Sequence, residues 1–328
     1  MRAITSMCVL AVLAGSAAAY GAGAVPDGVA KDVDQGYYQR ALPPLQAVLK
    51  DHPQDAEVQF RYGEALLGMH KTDDALAAMK AAVTLEPKNG IYHRGLGEVY
   101  GTEAQDASIF SALGLAKSSL SEFQAAVQFA PNDLDAHADL AAYYTQAPGM
   151  AGGDEDKAHA EEATMTKLDP VRGMQQAAAD DQYDKAYDKA EALLKQAAGK
   201  DMKADSYVQL GALYLDRKRF ADAMDAFTAA VAKGPVDPAP LYWIGYVSWS
   251  GQLRYDEGIA ALKAYMGTPE HPDASPSFAW AHLRLADLYI QTGRNDLARA
   301  EFTAAQATAE GSDKELSHEL RKVGARLK

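Results

Sequence analysis

The sequence predicts an all-α protein built from repeated helical hairpins. Three observations indicate this class: apolar residues recur at helical spacing in alanine-rich segments, similar segments return at a regular interval, and prolines follow several of them. The chain has 328 residues, which is enough to bury a large core in one or two domains or in one extended array. The regular interval favours the array.

The clearest repeat covers residues 206–235, with the sequence SYVQLGALYLDRKRFADAMDAFTAAVAKGP. Leu210 and Gly211 lie on one face of its first predicted helix, and Ala223 and Phe227 lie on one face of the second. Small residues let two helices approach closely, and large residues fill the space between them. The segment therefore predicts a helical hairpin.

The same spacing recurs along the chain. FRYGEALLGMHKTDDALAAMKAAVTLEP repeats it through Gly63 and Met79, and the prolines that close two consecutive units, Pro53 and Pro87, are 34 residues apart. Further units open with the pairs Leu96-Gly97, Leu140-Ala141, Ile244-Gly245 and Leu285-Ala286. A helical unit that returns every 20 to 50 residues is typical of a solenoid.

This pattern closely resembles the tetratricopeptide repeat, in which two antiparallel helices occupy about 34 residues. The resemblance implies a right-handed α-solenoid of helix-turn-helix repeats over residues 25–311, with about seven or eight units, several of them degenerate or carrying insertions. The whole chain also resembles exported bacterial repeat proteins. Residues 312–328, SDKELSHELRKVGARLK, are amphipathic and predict a capping helix.

Several units depart from the standard length. The third carries extra residues at helical spacing from Ile109 to Val127, which predict a second helix lengthened at its start. The fourth is lengthened through QAPGMAGGDEDKA, and residues 173–200 fit only a degenerate unit around Ala190 and Leu193. These are the weakest parts of the repeat register.

The first 24 residues, MRAITSMCVLAVLAGSAAAYGAGA, predict a cleavable signal peptide. A basic start precedes an apolar run and small residues, with cleavage expected after Ala19 or Ala24. The apolar run is too short to span a bilayer unaided, so we expect a periplasmic or secreted protein without stable membrane insertion. Because the only cysteine, Cys8, lies in this segment, the mature chain would have no thiol chemistry.

The composition is acidic, with a formal net charge of −13. Nucleic acids and anionic lipids are bound mainly through clustered lysine and arginine, and no such cluster occurs. We therefore expect neither a nucleic-acid partner nor adsorption to an anionic membrane.

No catalytic, cofactor or metal motif stands out. His93, His137 and His282 each precede the opening pair of a unit by three residues, where these repeats often carry an aromatic. We interpret them as packing residues, because stacked units do not by themselves bring three imidazoles onto one metal. The sequence predicts a protein that is not an enzyme and holds no cofactor.

The resemblance also implies a binding surface. Tetratricopeptide grooves are lined by first-helix residues three before, one after and four after the glycine of each unit. Around Gly245 these places hold aromatic rings, and Trp280 begins the next unit. The candidate groove residues are Tyr242, Tyr246, Trp249, Trp280, Arg94 and Glu98. The lysine and asparagine with which some of these domains clamp a terminal carboxylate are absent. Whether the rings pack internally or contact a ligand stays open.

These features lead to two hypotheses for function. The first is a non-catalytic scaffold or adaptor in the bacterial cell envelope that binds a protein or peptide in the concave groove. The alternative is a carbohydrate-binding accessory protein of envelope or exopolysaccharide export, because adjacent exposed aromatics also suit stacking on sugar rings.

Overall fold

The fold, taken from a computed structural model, is all-α, as predicted. The structure describes residues 24–200, 203–234, 238–268, 273, 275–309 and 313–327, so the predicted signal peptide, apart from Ala24, lies outside the described residues. Within these ranges there are seventeen α-helices, one short 3-10 helix at Gly149–Ala151 and no strand.

The helices follow one another with short connections. The first nine are α1 (Asp27–Asp34), α2 (Tyr38–Asp51), α3 (Ala56–Gly68), α4 (Thr72–Leu85), α5 (Gly90–Asp106), α6 (Ile109–Phe129), α7 (Leu134–Gln146), α8 (Glu155–Leu168) and α9 (Pro170–Tyr183). The other eight are α10 (Tyr187–Lys200), α11 (Asp205–Asp216), α12 (Phe220–Ala232), α13 (Ala239–Gly251), α14 (Tyr255–Met266), α15 (Phe278–Gln291), α16 (Asn295–Thr308) and α17 (Lys314–Arg326). Helices α3/α4, α5/α6, α7/α8, α11/α12, α13/α14 and α15/α16 pack as consecutive pairs.

Small residues let the two helices of a pair approach each other. A Cβ built on Gly97 would lie 2.7 Å from the ring of Phe123, and one built on Gly245 would lie 2.2 Å from Cγ of Leu262. Such distances are too short for an ordinary carbon contact, so a larger residue would push the two helices apart. The opening pairs recognised in the sequence are therefore the contact points of the hairpins.

The chain divides into two compact units, which are described separately. Unit 1 comprises residues 1–176 and 272–274, and unit 2 comprises residues 177–271 and 275–328. In unit 1 the first core is built around Leu45, Phe60 and Met79, and a smaller core lies around Phe123 and Leu140. In unit 2 three apolar clusters follow one another along α10 to α17. Each unit thus has a core of its own.

The irregular repeats are helical as well. Helix α6 begins at Ile109 and has 21 residues, which confirms the lengthened second helix of the third unit. In the degenerate unit, α10 buries Ala190 as expected, but it also buries Leu194 completely, whereas Leu193 is only partly buried. The sequence places the apolar face one residue away from its true centre because Leu193 and Leu194 are adjacent and equally apolar.

Helix α17 packs on α15 and α16 and buries Leu316 and Val323. The Asp313 carboxylate accepts a hydrogen bond from the Leu316 backbone N–H at 2.8 Å, which caps the helix. The last segment is therefore helical and packs on the core of unit 2.

Two glycine substitutions test the helix contacts. Gly245→Ala places a methyl group against Leu262, so we expect a loss of about 1–3 kcal/mol in the free energy of unfolding. Gly114→Ala is the matched control: Gly114 lies in α6, and no described residue outside its own helix turn comes within 4 Å of its missing Cβ, so we expect a gain of about 0.5–1 kcal/mol. Urea unfolding followed by circular dichroism measures both, and equal effects would contradict the proposed close approach.

Candidate functional site

The aromatic segment of α13 belongs largely to the core of unit 2. Tyr242 is buried, and its ring centroid lies 5.7 Å from that of Tyr265 on α14 and 6.5 Å from that of Tyr246. Burial raises the pKa of the Tyr242 hydroxyl to about 12. Tyr246 and Trp249 continue the row with centroids 5.4 Å apart, and both remain partly exposed.

A buried arginine from the next first helix meets these rings. The guanidinium carbon of Arg284 lies 3.8 Å from the ring centroid of Trp249, 4.9 Å from that of Trp280 and 5.6 Å from that of Tyr246. A cation over an aromatic face contributes from about 0.5 kcal/mol to about 2 kcal/mol when it is desolvated. The rings of α13 and α15 therefore meet a neighbouring helix within their own unit. We call Tyr246, Trp249, Trp280 and Arg284 the ring face.

Acidic residues surround Arg284 without completing its hydrogen bonds. The arginine is 6 % exposed, and its Nη1 atom lies 3.9 Å from carboxylate oxygens of Asp287 and Glu319. Its Nε and Nη1 atoms have no hydrogen-bond partner among the described residues. Burial raises the pKa of Asp287, while the charges of Arg326 and Arg284 oppose this effect. The ring face thus contains a buried arginine with two nitrogen atoms, Nε and Nη1, that are not hydrogen-bonded to any described residue.

The ring face is anchored to the terminal helix α17. Trp280 Nε1 donates a hydrogen bond of 2.9 Å to Asp313 Oδ2, the residue that caps α17. Arg326, near the end of α17, donates to the buried carboxylate of Asp287. The first-helix residues of unit 2 and the cap helix therefore depend on each other for position.

The other two candidate residues, Arg94 and Glu98, lie on α5 in unit 1. Arg94 is 8 % exposed, and its Nη1 atom is 3.5 Å from Glu98 Oε1 and 3.8 Å from Asp139 Oδ2 on α7. The carboxyl groups of Glu98 and Asp139 are close enough to influence each other's pKa. Glu64 on α3 adds a third carboxyl group to the same neighbourhood. We call Glu64, Glu98 and Asp139 the acidic face. Glu64 follows Gly63 and so stands at a groove position, whereas Asp139 stands at none of the groove positions of its unit.

The acidic face holds protons more tightly than exposed carboxyl groups do. Burial raises the pKa of Glu64 to about 7, against the opposing charges of Arg61 and Arg94. Burial also raises the pKa of Glu98, and it raises that of Asp139 well above the usual range, helped by the charge of Glu98.

The histidines form a recurring contact between paired helices. The Nδ1 atoms of His93, His137 and His282 lie 2.6, 2.5 and 2.6 Å from Glu122, Glu161 and Glu301 respectively. The Nε2 atom of His137 also faces the Pro131 carbonyl oxygen at 3.0 Å. The hydrogen bond with Glu161 raises the pKa of His137, because the charged ring can donate to both acceptors. Each of the three histidines therefore links the first helix of its pair to the second through a contact with a glutamate.

The groove positions that the sequence pattern treats alike differ in how deeply they are buried. Residues three before the small residue of a unit are buried in four units: Phe60, Arg94, Tyr242 and Leu283. Residues one after it are half-buried in three of these units: Glu64, Glu98 and Tyr246. In these units fewer than three groove positions are therefore accessible to a partner. No signal in the sequence distinguishes these places, because burial depends on the neighbouring first helix.

The described part of the chain contains neither a candidate membrane-spanning helix nor a candidate metal site. None of its helices combines the length and apolarity needed to cross a membrane. Its histidine and carboxylate side chains form no group with the arrangement needed to hold a metal ion.

Three segments of the chain match family models described as tetratricopeptide repeat: residues 32–99, 177–238 and 281–310. The chain is a tetratricopeptide-repeat protein. The second match includes the degenerate unit around α10, which the sequence pattern alone supports weakly. No curated protein matches the sequence.

Solved structures support the same fold for this tetratricopeptide-repeat protein. Yeast Tom70 is 15 % identical with a TM-score of 0.62, over 92 % of this chain and 61 % of that one. The human IFIT1 dimer with m7Gppp-AAAA is 15 % identical with a TM-score of 0.52, over 88 % of this chain and 69 % of that one. At these identities the likeness concerns the helical repeat solenoid alone.

Replacing Arg284 tests whether the ring face is structural. Arg284→Met removes the cation from three rings, so we expect the tetratricopeptide-repeat protein to lose about 1–3 kcal/mol of unfolding free energy. We also expect acrylamide to quench tryptophan fluorescence more strongly. In the control Arg299→Met, an exposed ion pair with Asp296 is lost, and a change within about 0.5 kcal/mol is expected. Equal stability of both variants would refute the structural role.

The raised pKa values predict how stability depends on pH. Between about pH 4.5 and 7 folded Glu64 retains a proton that the unfolded chain releases, so unfolding becomes easier as pH rises. His137, whose pKa is also raised from 6.5, contributes stability that is complete below that pH and is lost as pH rises through its folded pKa. We expect the unfolding free energy to be about 1–3 kcal/mol lower at pH 8 than at pH 5.

Urea titrations at the two pH values measure this difference. Glu64→Gln should reduce it, because glutamine keeps the shape of the side chain and does not titrate. A protein that becomes more stable between pH 5 and 8, or a difference that Glu64→Gln leaves unchanged, would contradict the assignment.

Proposed function

We propose that this tetratricopeptide-repeat protein is a non-catalytic scaffold of the bacterial cell envelope that binds a protein partner on the first-helix faces of its repeats. Proteins made of these repeats are generally interaction scaffolds, and three segments of the chain match the repeat. The observation that carries the proposal is the ring face. It combines half-buried aromatic rings with a buried arginine, and such residues are enriched where proteins contact each other tightly.

The envelope setting rests on the sequence. Residues 1–24 have the basic start, apolar run and small residues of an export signal. An acidic chain without a lysine and arginine cluster is suited to neither nucleic acid nor anionic lipid, which leaves a protein surface as the natural partner.

The ring face favours a protein partner over a carbohydrate. A sugar stacks on an open aromatic face, but Arg284 lies over one face of both Trp249 and Trp280. The parts of these rings that remain accessible suit side-chain packing more than flat stacking. Glycan binding by an accessory protein of polysaccharide export is therefore the weaker proposal.

Affinity capture from native envelope extracts tests the scaffold. We expect the full chain to recover a stoichiometric protein partner, and Tyr246→Ala with Trp249→Ala to weaken its capture at least about tenfold, because contact area near a buried anchor dominates binding. The matched control is Val231→Ala with Leu297→Ala, which removes two exposed apolar side chains from the second helices α12 and α16. This control should leave capture unchanged.

Circular dichroism melting distinguishes lost contact from lost folding in these variants. Equal loss of capture in both double variants would refute binding on the ring face. Hydrolytic or transfer activity of the purified protein that one point substitution abolishes would refute the non-catalytic role, and a purified glycan that shifts tryptophan fluorescence in saturable fashion would favour the carbohydrate alternative.

A further inference from the structure

The acidic face of unit 1 has more carboxyl groups than arginines to pair with them. Arg61 donates to Asp34 and, at 3.1 Å, to Glu64, and Arg172 donates to Asp135. Among the described residues, Arg94 alone forms ion pairs with Glu98 and Asp139. The face is thus deficient in positive charge.

Arg94 does not form close hydrogen bonds with the carboxyl groups of the acidic face. Arg94 is nine-tenths buried, and its Nε and Nη1 atoms have no hydrogen-bond partner among the described residues. Its Nη1 atom points toward Glu98 and Asp139 but stays 3.5 Å and 3.8 Å from their nearest oxygens, beyond the usual hydrogen-bond range. Asp139 Oδ2 likewise lacks a hydrogen-bond partner in the part of the chain described. The geometry leaves donors and acceptors facing each other unsatisfied.

The carboxyl groups are more accessible than the arginine between them. The side chains of Glu64, Glu98 and Asp139 are 23 %, 31 % and 33 % exposed, compared with 10 % for Arg94. A group approaching from solvent therefore meets acids on α3, α5 and α7 first. These acids lie on the first helices of three successive repeats, where a partner is proposed to bind.

We propose that the acidic face binds lysine or arginine side chains of the protein partner. The inference rests on the proposed scaffold function and adds the chemistry of the partner. Ammonium and guanidinium groups donate strong, charge-assisted hydrogen bonds to carboxylates, and they supply the positive charge that Arg94 alone does not. An acidic segment would be repelled. A metal ion is not the expected occupant, because no metal-binding group is present among the described residues.

Binding of such a cation should release a proton. Burial raises the pKa of Glu98 and of Asp139, and a cation bound beside the two groups favours their charged forms. The charged groups that surround the pair are Glu64 on α3, Arg94 on α5, Asp133 before α7, and Asp135 on α7, which is paired with Arg172 of α9. We therefore expect affinity to increase from pH 5.5 to pH 7.5.

Fluorescence anisotropy with the full chain tests the proposal. The probe is a labelled peptide of alternating lysine and serine, compared with peptides carrying glutamine or glutamate in place of lysine. We expect the lysine peptide to bind at least tenfold more tightly than either and to bind more weakly at high salt. Equal binding of the glutamine peptide would overturn the proposal. So would displacement of the labelled lysine peptide by spermidine at the concentration at which unlabelled lysine peptide displaces it, because that would indicate unspecific attraction of positive charge.

Two double variants provide matched charge changes. Glu98→Gln with Asp139→Asn removes two carboxylates from the acidic face, and we expect a loss of lysine-peptide affinity of at least tenfold. Asp225→Asn with Glu257→Gln removes two exposed carboxylates that pair with Arg254 in unit 2, and affinity should change less than twofold. Equal losses in both would mean unspecific attraction and would overturn the proposal.

A single variant tests the same face in case Glu98→Gln with Asp139→Asn impairs folding. Glu64→Gln leaves the contact between Glu98 and Asp139 in place and should still weaken the lysine peptide about threefold, whereas unchanged affinity would overturn the role of the three-helix face. The result is separable from that of the scaffold: a captured partner whose binding is insensitive to the acidic-face variants supports the scaffold and refutes a cationic contact here.

Discussion

The architecture depends on the close approach of a small residue on each first helix to a large residue on its partner. This contact recurs between Gly63 and Met79, Gly97 and Phe123, Gly211 and Phe227, and Gly245 and Leu262. A methyl group would collide at Gly97, Gly211 and Gly245 and would be tightly packed at Gly63, so the absence of a Cβ sets how closely the paired helices approach. Every other face of the hairpin takes its position from this contact.

With the pairs held in this way, the first helices of successive repeats lie beside each other and bring their charged residues together. In unit 1 this places Arg94 among carboxyl groups from two other helices, and in unit 2 it places Arg284 among aromatic rings. Burying an arginine costs several kcal/mol unless its charge and donors are compensated. The two units compensate it differently: one mainly with acids, the other mainly with ring faces and more distant carboxylates.

This difference gives the two faces different chemistry. The ring face presents partly buried aromatic rings around an arginine that is already stacked on them, which suits tight side-chain packing. The acidic face presents carboxyl groups that outnumber the arginines they share, which suits a cationic group. One repeat family thus offers two kinds of contact on one chain, through substitutions at a few first-helix positions.

The sequence by itself determined the all-α class, the repeat family and the places where paired helices touch. Glycine, alanine and large apolar residues at fixed intervals have few other packing solutions, and even the lengthened α6 follows from its periodicity. It also drew attention to Tyr242, Tyr246, Trp249, Arg94 and Glu98, which stand at positions that the family uses for its groove, and to Trp280, which begins the next unit.

Only the tertiary structure decided what these residues contact. The stacking of Trp249 and Trp280 on Arg284 joins residues on neighbouring repeats, and the acidic face joins Glu64, Glu98 and Asp139 from three helices. Periodicity within one helix records which side faces its own hairpin partner. It does not record which side chain of the next repeat comes within reach, because that depends on how the repeats stack.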